Sequence, residues 1–337
     1  MKKNKKILII AEAGINHNGS LKRAIKMIKE AKNAGADVIK FQTAVPELVA
    51  TNNAKKADYQ KTKTLDKESQ LQMIKKLHLP LTAYKILQRW CKKYEITFMS
   101  SPFDLISAKY LINIKIKQIK IPSGEITNYP LLKYLAKKNV KIILSTGMSN
   151  LNEIKKSIKV LKKFGKTNRD ISVLHCNTSY PTPNKDVNLN VIETLHKELN
   201  LNIGYSDHTM GFVTPIAAVA KGAKIIEKHF TLNKNLKGPD QLTSLNPKEF
   251  LQMVKSIRDC EDLMGGNKKI VTKSEFKNKK IVRKSIVAKK IIKKGTIFNE
   301  SNLTVKRPGT GLSPMIWEKV LGKRAKKNFK IDDLITL

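Results

Sequence analysis

Short β-branched runs alternate with longer amphipathic stretches along most of this chain, and no other sequence feature limits its fold as much. Eight runs read as strands: 6–12, 37–42, 96–101, 118–123, 140–146, 171–177, 202–207 and 223–230. Between most of them lie segments of helical period, 21–34, 82–93, 131–138, 151–164, 191–199 and 213–221, and 253–264 follows the last run. Apolar residues three and four apart gather on one face of a helix, which then covers a sheet. Gly19, Gly35, Gly165 and Gly222 stand where the helix edges fall. Alternating apolar strands and helices predict a parallel sheet. Eight such units within residues 1–270 predict a (β/α)8 TIM barrel rather than an open sheet.

A chain of 337 residues has room for one such barrel and a small appendage. The texture changes at 271–282 to a charged stretch with little periodicity, which reads as a linker. Residues 283–337 carry short strands with glycine turns, a small β-rich module too small to be the catalytic core. Residues 43–81, between the second and third strands, are too long for an ordinary loop and read as a lid over the site. No apolar run approaches the ~20 residues of a membrane span. The N-terminal MKKNKK leads through an apolar run straight into Glu12 without a small-residue cleavage site, so it reads as the approach to a strand rather than a signal peptide. Cys91, Cys176 and Cys260 fit neither a disulfide framework nor a paired metal motif, which points to a reducing cytoplasm.

The net charge of +39 is consistent with nucleic acid, an anionic surface or an acidic substrate. Nucleic-acid binders concentrate charge on one face and often add stacking aromatics. Here the lysines are scattered through almost every helical segment and aromatics make up only 6%. A solvated lysine-rich surface is therefore expected, with no nucleic-acid partner, although the charge favours capture of a small polyanion.

A barrel places its site at the C-terminal ends of its strands. Those ends carry Glu12; Lys40 and Gln42; Ser100 and Ser101; Lys120, Ser123 and Glu125; Ser145; Asn177 and Thr178; Ser206, Asp207 and His208; and Glu227 and His229. Converging lysines and hydroxyls describe a pocket for an anion. His208 and His229, at the ends of adjacent strands, suit a divalent transition metal such as Mn or Fe, with water or substrate in the open positions. Asp240, in the Gly-Pro-Asp loop just beyond, lies above that pair. His78 and His196 read as solvated and His175 as packed; Asn16 and His17 stay open. His175 and Cys176, as strand neighbours, face opposite ways and form no nucleophile pair.

Taken in order, IIAEAGINHNG (9–19), VIKFQT (38–43), IKIPSGEITN (119–128), IILSTGM (142–148), HCNTSYPTP (175–183), GYSDHT (204–209), IEKHFT (226–231) and GPD (238–240) resemble the bacterial N-acetylneuraminate (sialic acid) synthase family. That family joins a (β/α)8 barrel to a C-terminal SAF, or antifreeze-like, module, whose signature KRPGTG (306–311) resembles. The resemblance implies a transferase that condenses phosphoenolpyruvate with an open-chain N-acetylated amino sugar and releases phosphate. It assigns Lys40, Ser101, Lys120, Ser123, Ser145 and Ser206 to the phosphoenolpyruvate cradle, with Thr178 where some relatives have Asn. It assigns His208 and His229 to the metal, Mn2+ in the first place with Mg2+ or Co2+ as alternatives. Glu12, Glu125 and Asp240 match the acids of the reaction centre, and Gln42 and Tyr180 match sugar-proximal positions. Arg307 matches an arginine that one subunit's module extends to the other subunit's sugar, which implies a domain-swapped homodimer. Within the family, YPTP (180–183) and LSPMIW (312–317) favour N-acetylmannosamine and the sialic branch; the alternative is a legionaminic acid synthase acting on a 2,4-diacetamido-2,4,6-trideoxy sugar.

Overall fold

The computed structural model describes residues 6–61 and 68–337, so most of the basic N-terminal stretch, and residues 62–67 of the expected lid, lie outside the described residues. The chain divides into two units, Met1–Gly265 and Gly266–Leu337.

In the first unit, β1 (Leu8–Gly14), β2 (Val38–Thr43), β3 (Thr97–Pro102), β4 (Gln118–Ile121), β5 (Lys141–Ser145), β6 (Ile171–Cys176), β7 (Asn202–Asp207) and β8 (Ile225–His229) form one sheet. Its order is β3-β2-β1-β8-β7-β6-β5-β4, and every hydrogen-bonded pair is parallel. The two strands at the ends of that order, β3 and β4, lie against each other, so the sheet closes on itself as the expected TIM barrel.

Strand alternation explains where the site lies. Ile10, Val38, Met99, Ile143, Leu174 and Ile225 point inward and form a closed apolar layer across the barrel. Gly204 completes that layer because there is no room for a side chain: a Cβ there would stand 2.6 Å from both Leu174 Cδ2 and Ile225 Cβ. Two residues further along each strand, the same inward face carries Glu12, Lys40, Ser101, Ser145, Cys176, Ser206 and Glu227. The barrel is thus sealed below by hydrocarbon and polar above. The opposite strand faces, with residues such as Ile9, Ile39, Ile142 and Ile203, pack into the larger core beneath the helices.

The helices meet the sheet through single apolar stripes. Leu21–Asn33 buries Ala24, Met27, Ile28 and Ala31, while its lysines face water. Leu151–Lys163 buries Ile154, Ile158 and Leu161 and starts in a capping box of Asn150 with Glu153. Much of the positive charge therefore sits on solvated helix faces, as the scatter of lysines predicts.

Two elements depart from the sequence reading. Helix Leu105–Asn113 stands between β3 and β4, where no helix is expected. Its apolar residues spread around the helix, with Leu105 and Ile106 exposed and Ala108 and Leu111 buried, so no stripe is visible. Its real signal is the N-cap, Asp104, which accepts from Ser107 N at 2.7 Å. The expected linker contains helix Lys273–Val282, started by a Thr272–Glu275 capping box and burying none of its residues. A helix that buries no side chain leaves no apolar periodicity.

In the second unit, β9 (Ser285–Ala288) pairs antiparallel with β10 (Leu303–Lys306). Ile286, Ile292, Phe298, Leu303, Val320 and Phe329 contribute to its separate core. No described helix is long and apolar enough to cross a membrane, and all three cysteines are free and buried.

Candidate active site

The polar layer opens into a cavity of about 420 Å³ at the C-terminal ends of the strands. Glu12, Lys40, Gln42, Ser101, Lys120, Ser123, Ser145, Thr178, Tyr180, Ser206, His208, His229 and Asp240 all line it. Among the expected site residues of this unit, one does not. Glu125 ends a 3-10 turn, half-buried, where its carboxylate accepts from Asn128 Nδ2 at 2.6 Å. Arg307 belongs to the second unit and is exposed, its Nε donating to Val282 O at 3.0 Å.

At the floor of the cavity stands a carboxylate that the sequence reading did not single out among the site residues. Glu227 accepts from Lys120 Nζ at 2.7 Å and Ser206 Oγ at 2.9 Å, and Lys40 Nζ lies 3.7 Å away. Lys40 also pairs with Glu12 at 2.7 Å and donates to Ser101 Oγ at 3.2 Å. All four charged groups are almost wholly buried. Burial alone would raise the Glu227 pKa, but the two lysine charges outweigh it and hold the carboxylate ionised. Burial lowers the Lys120 pKa, with the Glu227 charge opposing it. Burial also works against the Lys40 cation, yet Glu12 and Glu227 together raise its pKa. Glu227 was legible in principle: it lies two residues before His229, so it shares that residue's inward face.

Above this network the two imidazoles face each other, their ring centroids 5.3 Å apart, with Tyr180 4.1 Å from His208. Burial lowers the His208 pKa to about 4 and the His229 pKa well below its usual value, so both rings are neutral at pH 7. His208 Nδ1 is held at 2.5 Å by Asn177 O, which fixes the tautomer and leaves Nε2 as the lone-pair atom. His229 Nδ1 is buried and has no hydrogen-bond partner among the described residues. Neutral imidazoles with an orphaned nitrogen fit a divalent ion, although among the described residues no three His, Cys, Asp or Glu side chains are grouped to hold one. Water or substrate oxygens would have to complete the coordination.

Asp240 is buried in the same wall. Burial, and then the Glu12 charge, push its pKa up to about 7, against the opposing pull of Lys40. Its loop is tied to the loop after β1. Asn16 Nδ2 donates to Phe230 O at 2.9 Å and Ser244 Oγ at 2.8 Å, and Gln241 Nε2 donates to Asn16 O at 3.0 Å. Ser244 Oγ in turn donates to Asp240 O at 2.6 Å. Asn16, open in the sequence reading, is therefore a brace between the Glu12 and Asp240 loops. His17 is fully buried behind them, beside Phe41.

The insertion between β2 and β3 forms the far wall. It contains a 3-10 turn (Pro46–Leu48) and helices Asp58–Lys61 and Gln70–Leu77. Val49, Ala57, Gln60, Gln70, Met73, Ile74 and His78 reach the cavity from it. His78, expected to be solvated, is instead part of this wall: the insertion folds back over the barrel, a long-range event that local lysine content cannot reveal. His175 is packed as expected, with Nε2 2.7 Å from Val187 O, and Cys176 lies on the other face beside Ser123 Oγ at 3.2 Å.

Comparison with known proteins adds to this geometry. Residues 27–269 match the NeuB family and residues 283–337 match the SAF domain. The chain belongs to the NeuB family. It is 53% identical to an N,N'-diacetyllegionaminic acid synthase of Campylobacter jejuni subsp. jejuni, over 98% of this chain and 99% of that protein. It is 34% identical to the human N-acetylneuraminate-9-phosphate synthase, over 97% of this chain and 90% of that protein. Among solved structures it resembles an N-acetylneuraminic acid (sialic acid) synthetase from Leptospira borgpetersenii in complex with citrate. The TM-score is 0.72 at 33% identity, covering 81% of this chain and 90% of that one. The NeuB fold thus places the strand-end cluster described above at its mouth.

Proposed function

We propose that this NeuB-family chain condenses phosphoenolpyruvate with a 2,4-diacetamido-2,4,6-trideoxy-mannose and water to give N,N'-diacetyllegionaminate and phosphate. The observation that carries the choice of sugar is the 53% identity to a legionaminic acid synthase along essentially the whole chain. It favours the legionaminic branch over the sialic branch that YPTP (180–183) and LSPMIW (312–317) suggest in the sequence.

In this reading Lys40 and Lys120, with the hydroxyls of Ser101, Ser123, Ser145 and Ser206, hold the phosphate and carboxylate of phosphoenolpyruvate. Glu227 keeps both ammonium groups aimed into the cavity. C3 of phosphoenolpyruvate forms the new bond to the sugar's aldehyde carbon, and the aldehyde oxygen becomes a hydroxyl. Asp240, protonated on about half the molecules near pH 7, supplies that proton. The C2–C3 π pair makes the new bond and leaves C2 electron-poor. Water adds there, passing one proton to the Asp240 carboxylate formed in the first step. The C2–O bond to phosphate then breaks as the keto group forms, the second proton leaving with the phosphate. Holding both substrates in register contributes several kcal/mol to the barrier reduction, on the order of what well-oriented pairs gain. His208 and His229 would hold a divalent ion, Mn2+ being the first candidate. Such an ion, when bound, supplies Lewis-acid polarisation of a carbonyl oxygen.

Apolar side chains stand exposed on the loops around the mouth, among them Leu48, Met148, Met210, Val213 and Leu242. A rim of this kind fits a protein partner. We take that partner to be the SAF module of a second copy, which brings its Arg307 to the sugar. A Glu12→Gln chain mixed with an Arg307→Ala chain should then recover activity that neither homodimer has.

The test of the reaction is product mass spectrometry with phosphoenolpyruvate, Mn2+ and each candidate sugar. A nine-carbon product from the diacetamido sugar, absent after His208→Ala, is the expected result. A product from N-acetylmannosamine alone would return the assignment to the sialic branch.

A further inference from the structure

The two halves of the cavity differ in chemistry. The strand-end half holds the ammonium groups, carboxylates and imidazoles. The half formed by the insertion presents Val49, Ala57, Met73, Ile74, Gln60, Gln70 and one histidine, His78. Among the described residues of the insertion, the charged ones, Glu47, Lys55, Lys56, Asp58, Lys61, Glu68, Lys75 and Lys76, are all absent from the cavity wall. Glu47 pairs with Lys75 at 2.8 Å and Glu68 with Lys76 at 2.7 Å, away from it. Such sorting of charge is what a neutral, partly apolar ligand group requires, because burying hydroxyls against hydrocarbon without replacement hydrogen bonds is unfavourable.

His78 adds one directional contact. Its Nδ1 lies 3.0 Å from Ile74 O. A carbonyl can only accept, so the proton is on Nδ1 and Nε2 carries the lone pair. Burial lowers the ring's pKa and keeps it neutral. Nε2 is buried and has no hydrogen-bond partner among the described residues, so a residue of the cavity wall carries an acceptor that lacks a donor.

We propose that the described cavity-facing residues of the β2–β3 insertion form the specificity subsite for the far end of the sugar. Met73, Ile74 and Val49 take its C6 methyl group, and His78 Nε2 accepts from its 4-acetamido N–H. This rests on the reaction proposed above and names the part of the chain that chooses the sugar. A C6 hydroxymethyl group, as in N-acetylmannosamine, would set its hydroxyl against the hydrocarbon of Met73 and Ile74, at a desolvation cost.

The test separates binding from turnover. The probes are the alditols of the two sugars, which have no aldehyde and cannot react. Calorimetric titration of the full chain should give a dissociation constant at least about tenfold lower for the diacetamido alditol, the scale on which apolar pockets discriminate. Met73→Gln, which keeps the volume and adds hydrogen-bonding groups, should narrow that ratio about tenfold. His78→Leu should weaken the diacetamido alditol more than the N-acetylmannosamine alditol, and His78→Gln, which retains an acceptor, should recover part of the loss. KM for phosphoenolpyruvate should stay within about twofold in each variant. A ratio unchanged in both Met73→Gln and His78→Leu, or an equal loss for both alditols, overturns the proposal. Phosphate release with the reactive sugars, measured in parallel, tests the reaction on its own: no turnover with correctly shifted binding would reject the reaction while leaving the subsite standing.

Discussion

Strands β7 and β8 carry two buried charge clusters on opposite faces, and the two are built differently. Outside the barrel, Lys228 Nζ donates to Asp207 Oδ2 at 2.6 Å and Thr209 O at 2.5 Å. Asp207 Oδ1 accepts from Thr209 Oγ1 at 2.9 Å, Thr209 N at 3.1 Å and Tyr205 OH at 3.2 Å. That cluster is fully sealed: Lys228, Asp207 and Thr209 have no exposed surface, and each charge meets its complement. One residue away along each strand, Ser206 and Glu227 face the cavity, where two lysines share Glu227 and its Oε2 has no hydrogen-bond partner among the described residues. The outer cluster completes its hydrogen bonding with protein groups, whereas the inner one leaves capacity for a ligand. Sequence neighbours of similar chemistry therefore divide into a sealed set and a cavity-facing set purely by strand parity.

The largest expected effect comes from the inner set. Lys120→Met should reduce phosphate release by about a thousandfold or more, the scale of losing a preorganised charge in a closed site. Its melting temperature should stay within a few degrees of wild type by calorimetry. Lys228→Met should do the reverse. Leaving Asp207 buried and unpaired costs about 3–5 kcal/mol of stability, read by urea denaturation, while the rate per folded molecule stays within about tenfold. If instead Lys228→Met is stable and inactive, the division between faces is wrong.

Asp240 sharpens the inner half of the comparison. In its proposed role of proton donor Asp240 is active when protonated, so the turnover rate should fall as pH rises through about 7. Asp240→Asn should be slower and lack that descending limb; a wild-type rate that rises through the same range would make Asp240 a base. The smallest effect is expected at the edge of the outer set. Thr209→Val removes hydrogen bonds to Asp207 at a cost of about 1–3 kcal/mol and should leave KM for both substrates unchanged.

The same parity sets how much could be read from sequence. Barrel strands announce themselves as β-branched runs, and polar residues at their ends stand out against them, so Lys40, Lys120, Ser206 and His208 were legible as a converging set. Their roles beyond that convergence came from resemblance. Glu227 was harder to recognise because a carboxylate beside a lysine in sequence looks like a local pair, whereas Lys228 points the opposite way. Helix Leu105–Asn113 was obscured by apolar residues on more than one side, and the capped helix Lys273–Val282 by the absence of any buried side. His78 became a wall residue only through the return of the insertion over the mouth. Glu125 shares a motif with Ser123, but the 3-10 turn between them takes its side chain off the cavity wall.

The brace between Asn16, Gln241 and Ser244 has a consequence in time. Its partners are separated by 225 and 228 residues along the chain, and Glu12 and Asp240 are brought within one cavity wall by it. During synthesis the first strand emerges long before its last neighbour exists. If Glu12 and Asp240 form the proposed reaction centre, it cannot assemble on a partial barrel, and chains interrupted between Lys120 and the loop after β8 would carry both lysines yet remain chemically inert. Ring closure acts as a completeness check on the enzyme.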